Sequence, residues 1–171
     1  MKKTFLLFSL LMISLLAIAQ NPCPQVIPAL QEWKGTKGTL HLPIQGSIII
    51  NPSDETLLAS TAAILKNDLK ELMGWEYTII TGKAKKNSIF LSLSEPDEQL
   101  GKEGYELSII NKVSIQAPTA QGVFWGTRTL LQMLYRQDAK LAKGTTRDWP
   151  EFPNRGFMLD VGRKFFTLDY L

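Results

Sequence analysis

The spacing of hydrophobic residues along the chain changes several times, and each change marks an element. Leu58, Ala62, Leu65, Leu69 and Leu72 recur at three- and four-residue intervals, the period of one face of an α-helix. The spacing predicts a helix from Asp54, with Ser53 as its N-cap and Asp54 and Glu55 in the first turn, where the helix dipole favours acids. Gly74 is placed to close it in a left-handed conformation. Before the helix, the run "SIIIN" (Ser47 to Asn51) reads as a short buried strand that Pro52 punctuates. After it come two β-rich runs, "WEYTIITG" and "NSIFLSLS", separated by a turn carrying Lys83, Lys85 and Lys86. In "EGYELSIINKVSIQAP" strict alternation puts Tyr105, Leu107 and Ile109 on one face of a strand and Val113 and Ile115 on its partner. Asn111-Lys112 forms the hairpin-like turn between them. Thr119 is positioned to cap a second helix reaching about Tyr135, with Val123, Thr127, Leu130, Leu131 and Leu134 inward. Gly122 and Gly126 lie one turn apart on that helix. Each costs about 1 kcal/mol relative to alanine, so close packing of the helix backbone onto the sheet is expected to offset them.

Strand, helix, strands and helix in this order predict an α+β fold: a two-layer sheet-and-helix domain over residues 24–145, helices on one face. The stretch "TTRDWPEFPNRG" then breaks the pattern with two prolines and reads as a connection. Beyond it "GFMLD" (Gly156 to Asp160) is nearly all apolar, as expected of a strand buried on both faces of a parallel sheet or barrel.

The first nineteen residues stand apart from this scheme. Lys2 and Lys3 precede an apolar run from Phe5 to Leu16 interrupted by Ser9 and Ser14, and Ala17-Ile18-Ala19 supplies the small residues of a cleavage site. The run is too short to span a bilayer, which takes about 20 apolar residues. Residues 1–19 are therefore expected to be a signal peptide, Gln20 the mature N-terminus, and the protein exported, periplasmic or secreted. Cys23 fits a lipid-bearing cysteine poorly, because Asn21 and Pro22 precede it where a small residue is wanted.

The formal charge of +3 includes Lys2 and Lys3, and the remaining lysines are scattered. A nucleic-acid partner would call for a basic stripe, which is not there. With one histidine, His41, and one cysteine, no His/Cys zinc cluster can form, and neither a metal nor a cofactor is expected.

Candidate chemistry concentrates near residue 160. In a (β/α)8 barrel the active site lies at the C-terminal ends of the strands. If "GFMLD" is such a strand, Asp160 ends it and Arg163 sits in the loop that follows. A guanidinium fork suits two neighbouring sugar hydroxyls, and an acid three residues away can hold its orientation. From spacing alone, a plain Asp160–Arg163 ion pair without a ligand is the better reading.

The residues also resemble a known family. "EGYELSI…VSIQAPTAQGVFWGTRTLLQML" closely resembles the end of the small α/β domain that precedes the catalytic barrel in family-20 glycoside hydrolases, the β-N-acetylhexosaminidases. "DWPEFPNRGFMLDVGRKFF" resembles the start of that family's barrel, with its Arg-Gly, Leu-Asp and aromatic pair, and "VIPALQEWKGTKGTLHL" looks like its N-terminal opening. The resemblance implies a truncated (β/α)8 barrel start at 150–171 and removal of terminal N-acetylglucosamine or N-acetylgalactosamine from glycans with retention. In that chemistry the sugar's own acetamido oxygen attacks the anomeric carbon, an aspartate orients it, and an adjacent glutamate protonates the leaving oxygen. On the matching positions Arg163 would bind hydroxyls of the terminal sugar and Asp160 would support it. Lys164 departs from the family's commoner histidine, and Arg155 is taken as structural. The adjacent acids Asp54-Glu55 and Asp97-Glu98 fall in a helix start and a loop, so the catalytic pair is expected downstream of Leu171 and this chain is expected to be an inactive N-terminal fragment. Two rival readings are another glycosidase with a similar leading domain (O-GlcNAc-removing or α-glucuronidase) and a stand-alone non-catalytic exported domain.

Overall fold

A computed structural model describes residues 20–136, 139–163 and 165–170; the expected signal peptide, Lys164 and Leu171 lie outside them. Seven strands and two helices follow one another as β1 (Lys34–His41), β2 (Gln45–Ile50), α1 (Glu55–Met73), β3 (Glu76–Thr81), β4 (Ile89–Leu93), β5 (Tyr105–Ile109), β6 (Val113–Ala117), α2 (Ala120–Arg136) and β7 (Lys140–Asp148). The strands form one sheet in the order β1-β7-β5-β6-β4-β2-β3. One half is parallel (β3, β2, β4, β6) and the other antiparallel (β6, β5, β7, β1). Parallel neighbours need a crossover, and α1 supplies it between β2 and β3. Among the described residues, β1 joins the sheet only through β7.

Both helices cover the same face. Leu58, Ala62, Leu65 and Leu69 of α1 and Val123, Leu130, Leu131 and Leu134 of α2 are buried against Ile48, Ile50, Leu91, Leu107 and Ile115 of the sheet. The predicted inward sets hold except for Leu72, which is 56% exposed; Thr61 takes a place on that face instead. The sites of Gly122 and Gly126 are as tight as the helix required: a Cβ at Gly122 would stand 2.8 Å from Ala117 Cβ, and one at Gly126 would stand 2.5 Å from Ile115 Cγ2. Thr119 caps α2, its Oγ1 accepting from the Gly122 amide at 3.1 Å.

The start of α1 differs from the sequence expectation. Pro52–Asp54 form a 3₁₀ turn, Ser53 lies inside it, and Asp54 occupies the N-cap position without a capping hydrogen bond. Its carboxylate reaches across to β4 instead. Oδ2 accepts from the Leu93 amide (2.9 Å) and from Asn51 Nδ2 (2.9 Å), and Oδ1 from the Ser53 hydroxyl (2.8 Å). A Pro-initiated 3₁₀ turn therefore moves the capping position by one residue. Gly74 ends α1 at φ +69°, as predicted, and its amide donates to Lys70 O at 2.9 Å.

Two strands, β1 and β7, have no counterpart in the hydropathy pattern. β1, with Gly35, Gly38 and two lysines, has none of the apolar alternation of a strand. β7 takes in "TTRD", the beginning of the stretch whose prolines suggest a connection. It is held by ladders on both sides rather than by large side chains, and the ring of Trp33 fills the space beside Gly144. Within this chain residues 156–160 of "GFMLD" form no strand, and Phe157 and Met158 are 86% and 91% exposed. A strand needs a ladder partner, and neither edge of this sheet provides one to it.

The face away from the helices divides in two. One cross-strand row runs Lys34, Thr145, Ser108, Ser114, Phe90, Ile49, Ile80, polar over the antiparallel half and apolar over the parallel half.

Candidate functional site

Asp160 and Arg163 both lie exposed on the irregular segment that follows β7. The Asp160 carboxylate accepts from the amide of Gly162, two residues on, at 2.8 Å. Such a local turn closes an Asp on its own backbone, so the acid curls toward Gly162 and forms no ion pair with Arg163. The bland ion-pair reading is thus not what the geometry shows, and neither is a formed sugar pocket. Neither residue lines the groove over β5, β6 and β7 or the one beside β2 and β3.

The same segment is tethered to the domain by Arg155. Its guanidinium pairs with the Glu103 carboxylate and donates to Phe152 O at 2.6 Å. Glu103 also accepts from Gln121 Nε2 at 2.8 Å, so the loop before β5, the first turn of α2 and the segment after β7 meet on one carboxylate. This agrees with a structural role for Arg155.

Two further networks lie on β5 and β7. On the helix side, the buried Tyr105 hydroxyl donates to Asp148 Oδ2 (2.7 Å) and lies 2.6 Å from Thr129 Oγ1, while Asp148 Oδ1 accepts from the Gln31 amide at 3.0 Å. Burial, and then the Asp148 charge, push the Tyr105 phenol far above its ordinary range, so it stays a neutral donor. Burial and Asp148 likewise raise the nearby Cys23 thiol. On the open side, Arg147 is held between two acids, Nη2 at 2.6 Å from Asp97 Oδ2 and Nε at 3.2 Å from Glu106 Oε1. The Nε–H is buried but not aligned for a hydrogen bond. Backbone amides of Leu100 and Gln99, together with Arg147, keep the Asp97 carboxyl below its usual range.

These groups escaped notice in the sequence because they come from distant segments: Asp97 from a loop, Glu106 from β5, Arg147 from β7. A signal existed nonetheless. Glu106, Ser108, Ser114 and Gln116 are the polar members of the two alternating strands, and alternation places them together on the face away from the core.

Among known proteins, the sequence model described as glycosyl hydrolase family 20, domain 2, matches residues 23–149. A lacto-N-biosidase of Bifidobacterium bifidum is 31% identical over 150 residues, covering 86% of this chain and 13% of that protein. The GH20 β-N-acetylhexosaminidase of Streptomyces coelicolor A3(2) superposes with a TM-score of 0.67 at 28% identity, covering 88% of this chain and 31% of that one. A mutant β-hexosaminidase of Streptomyces plicatus in complex with its product GlcNAc gives 0.67 at 27% identity, covering 89% and 31%. The chain therefore spans less than a third of the length of each.

Proposed function

The chain belongs to glycosyl hydrolase family 20, and from that premise we propose that it is the leading part of an exported β-N-acetylhexosaminidase. The observation that carries the reading is a match that runs through β7 to residue 149, where the stretch resembling the start of the family's barrel begins. In this reading residues 150–171 lead into the catalytic (β/α)8 barrel. The whole protein removes terminal N-acetylglucosamine or N-acetylgalactosamine with retention, the substrate's acetamide acting as nucleophile. Arg163 grips two adjacent hydroxyls of the terminal sugar and Asp160 supports it once neighbouring strands surround them. The substrate class is supported by the product-bound Streptomyces relative.

The chain by itself is expected to be inactive. Its adjacent acid pairs lie at the start of α1 (Asp54-Glu55) and in the loop after β4 (Asp97-Glu98), outside the segment that carries Asp160 and Arg163. General acid catalysis alone contributes about 10²–10⁴-fold. Two measurements test the proposal. The purified chain should give no turnover of a chromogenic N-acetylglucosaminide. In the product of the complete coding gene, which should encode a further Asp-Glu pair, Arg163→Ala should lower kcat/KM at least about tenfold, since a hydrogen bond to a charged group contributes about 1.5–3 kcal/mol. Arg163→Lys should recover only part, because a point charge lacks the planar fork. Turnover by the chain alone, or wild-type kcat/KM in both variants, would refute it.

A further inference from the structure

The polar half of the sheet's open face is concave. A groove of about 280 Å³ runs over it, with Ser108, Ser114 and Thr145 as its floor. Glu106, Gln116 and Arg147 line it from the neighbouring row of the same face, and Lys34 lies opposite Thr145. The floor follows from register: Thr145 lies opposite Ser108 and Ser108 opposite Ser114, three short side chains abreast between longer ones.

The polar groups of this floor are half-buried and face the groove. The side chains of Ser108, Ser114, Gln116 and Thr145 make no hydrogen bond to protein among the described residues, although each can both donate and accept. Hydroxyls that are buried behave differently: Thr146 donates to Glu32 O, Ser88 to Lys85 O, and Thr129 pairs with Tyr105. The groove thus holds a row of directional, uncharged hydrogen-bonding groups with unused capacity.

Charge narrows the class of ligand. Two cations, Lys34 and Arg147, face two carboxylates, Glu32 and Glu106, and Arg147 is further neutralised by Asp97. A phosphate or nucleotide would need spare positive charge. A cation would need converging acids, and no group of three His, Cys, Asp or Glu suited to a metal occurs among the described residues. A neutral polyhydroxylated molecule needs neither. Its hydroxyls match groups that donate and accept in equal measure, and the carboxylate and amide of Glu106 and Gln116, directly paired across β5 and β6, can each engage neighbouring hydroxyls. Beyond Ser114 the row continues to the half-buried Phe90, an apolar ring for the C–H face of a sugar.

We infer that this groove is a second, non-catalytic binding site for a neutral oligosaccharide, on the face of the sheet opposite the helices. The inference stands whether or not the complete protein is a hexosaminidase, because it concerns residues of this chain alone and needs no turnover. The test is a titration of the ¹⁵N-labelled chain with N-acetylglucosamine trimer and with maltotriose, and separately with inorganic phosphate. Saturable shifts at Ser108, Ser114, Gln116 and Thr145 with at least one sugar are expected, and none with phosphate. Ser114→Phe should fill the floor and abolish them. Gln116→Ala, a milder change at the rim that keeps the fold, should weaken binding about tenfold, the loss of roughly one good hydrogen-bonding group. Absence of saturable shifts with both sugars, shifts confined to other residues, shifts with phosphate only, or unchanged affinity in Gln116→Ala would each overturn the inference.

Discussion

Among single residues, Asp54 shows how a buried charge can serve a fold. Burial by itself would raise its pKa, but bonds from the Leu93 amide, Asn51 and Ser53 outweigh it and hold the carboxyl below the ordinary value. A depressed native pKa stabilises the fold fully above the unfolded-chain value of about 4, and this contribution fades as pH falls through the native value. Asp54→Ala should cost about 1–3 kcal/mol in urea unfolding, because the Leu93 amide loses its acceptor. The melting-temperature gap between wild type and Asp54→Asn should be widest near neutrality and shrink toward pH 3. A gap independent of pH would show that the charge is immaterial. The sequence pointed to the right neighbourhood, an acid at a helix start, but not to the bond across to β4. That partner lies 39 residues away, and local spacing carries no information about such a distance.

Among elements, legibility followed the way each is stabilised. α1, α2 and the β5–β6 hairpin bury one face and expose the other, so their periods appear in the amino-acid order. β1 and β7 owe their place to backbone ladders and to glycines beside Trp33, and a ladder leaves no imprint on hydropathy. The "GFMLD" stretch has a strand-like apolar pattern, and the sheet of this domain offers it no partner. The glycines of α2 make the packing argument quantitative. Gly126→Ala gains helix propensity, about 1 kcal/mol, yet its Cβ would meet Ile115 Cγ2 at 2.5 Å and the Tyr105 ring at 3.1 Å. Overpacking of this kind costs about 1–3 kcal/mol. The variant is expected to melt below wild type despite the better helix former; a higher melting temperature would mean that the helix can move off the sheet at little cost.

Across the whole molecule, the segment after β7 is joined to the domain through Arg155 and Glu103, whose side chains are 48% and 21% exposed. An ion pair this open contributes under about 1 kcal/mol. Arg155→Ala should therefore leave the unfolding midpoint nearly unchanged while speeding proteolysis between residues 150 and 163. Equal cleavage rates in variant and wild type would show that the tether does not order the segment. The candidate site was less legible than the domain: Arg163 follows from resemblance, whereas the groove on the open face is lined from four strands that only the fold brings side by side.

The sheet's strand order also governs the timing of its assembly. β1 has one neighbour, β7, and more than a hundred residues separate Lys34 from Thr145, its partner. As the chain emerges, whether from a ribosome or across a membrane, its earliest strand must wait for its latest before it can pair at all. Closing so long a loop is entropically costly and slow, whereas β5 and β6 can zip locally while the remainder is still arriving. Opening should retrace that order. In native-state hydrogen exchange, the β1 amides should never be better protected than those of β7, and both should exchange before the β5–β6 pair. Protection in β1 that outlasts β7 would mean that the edge strand is held by something other than its one partner.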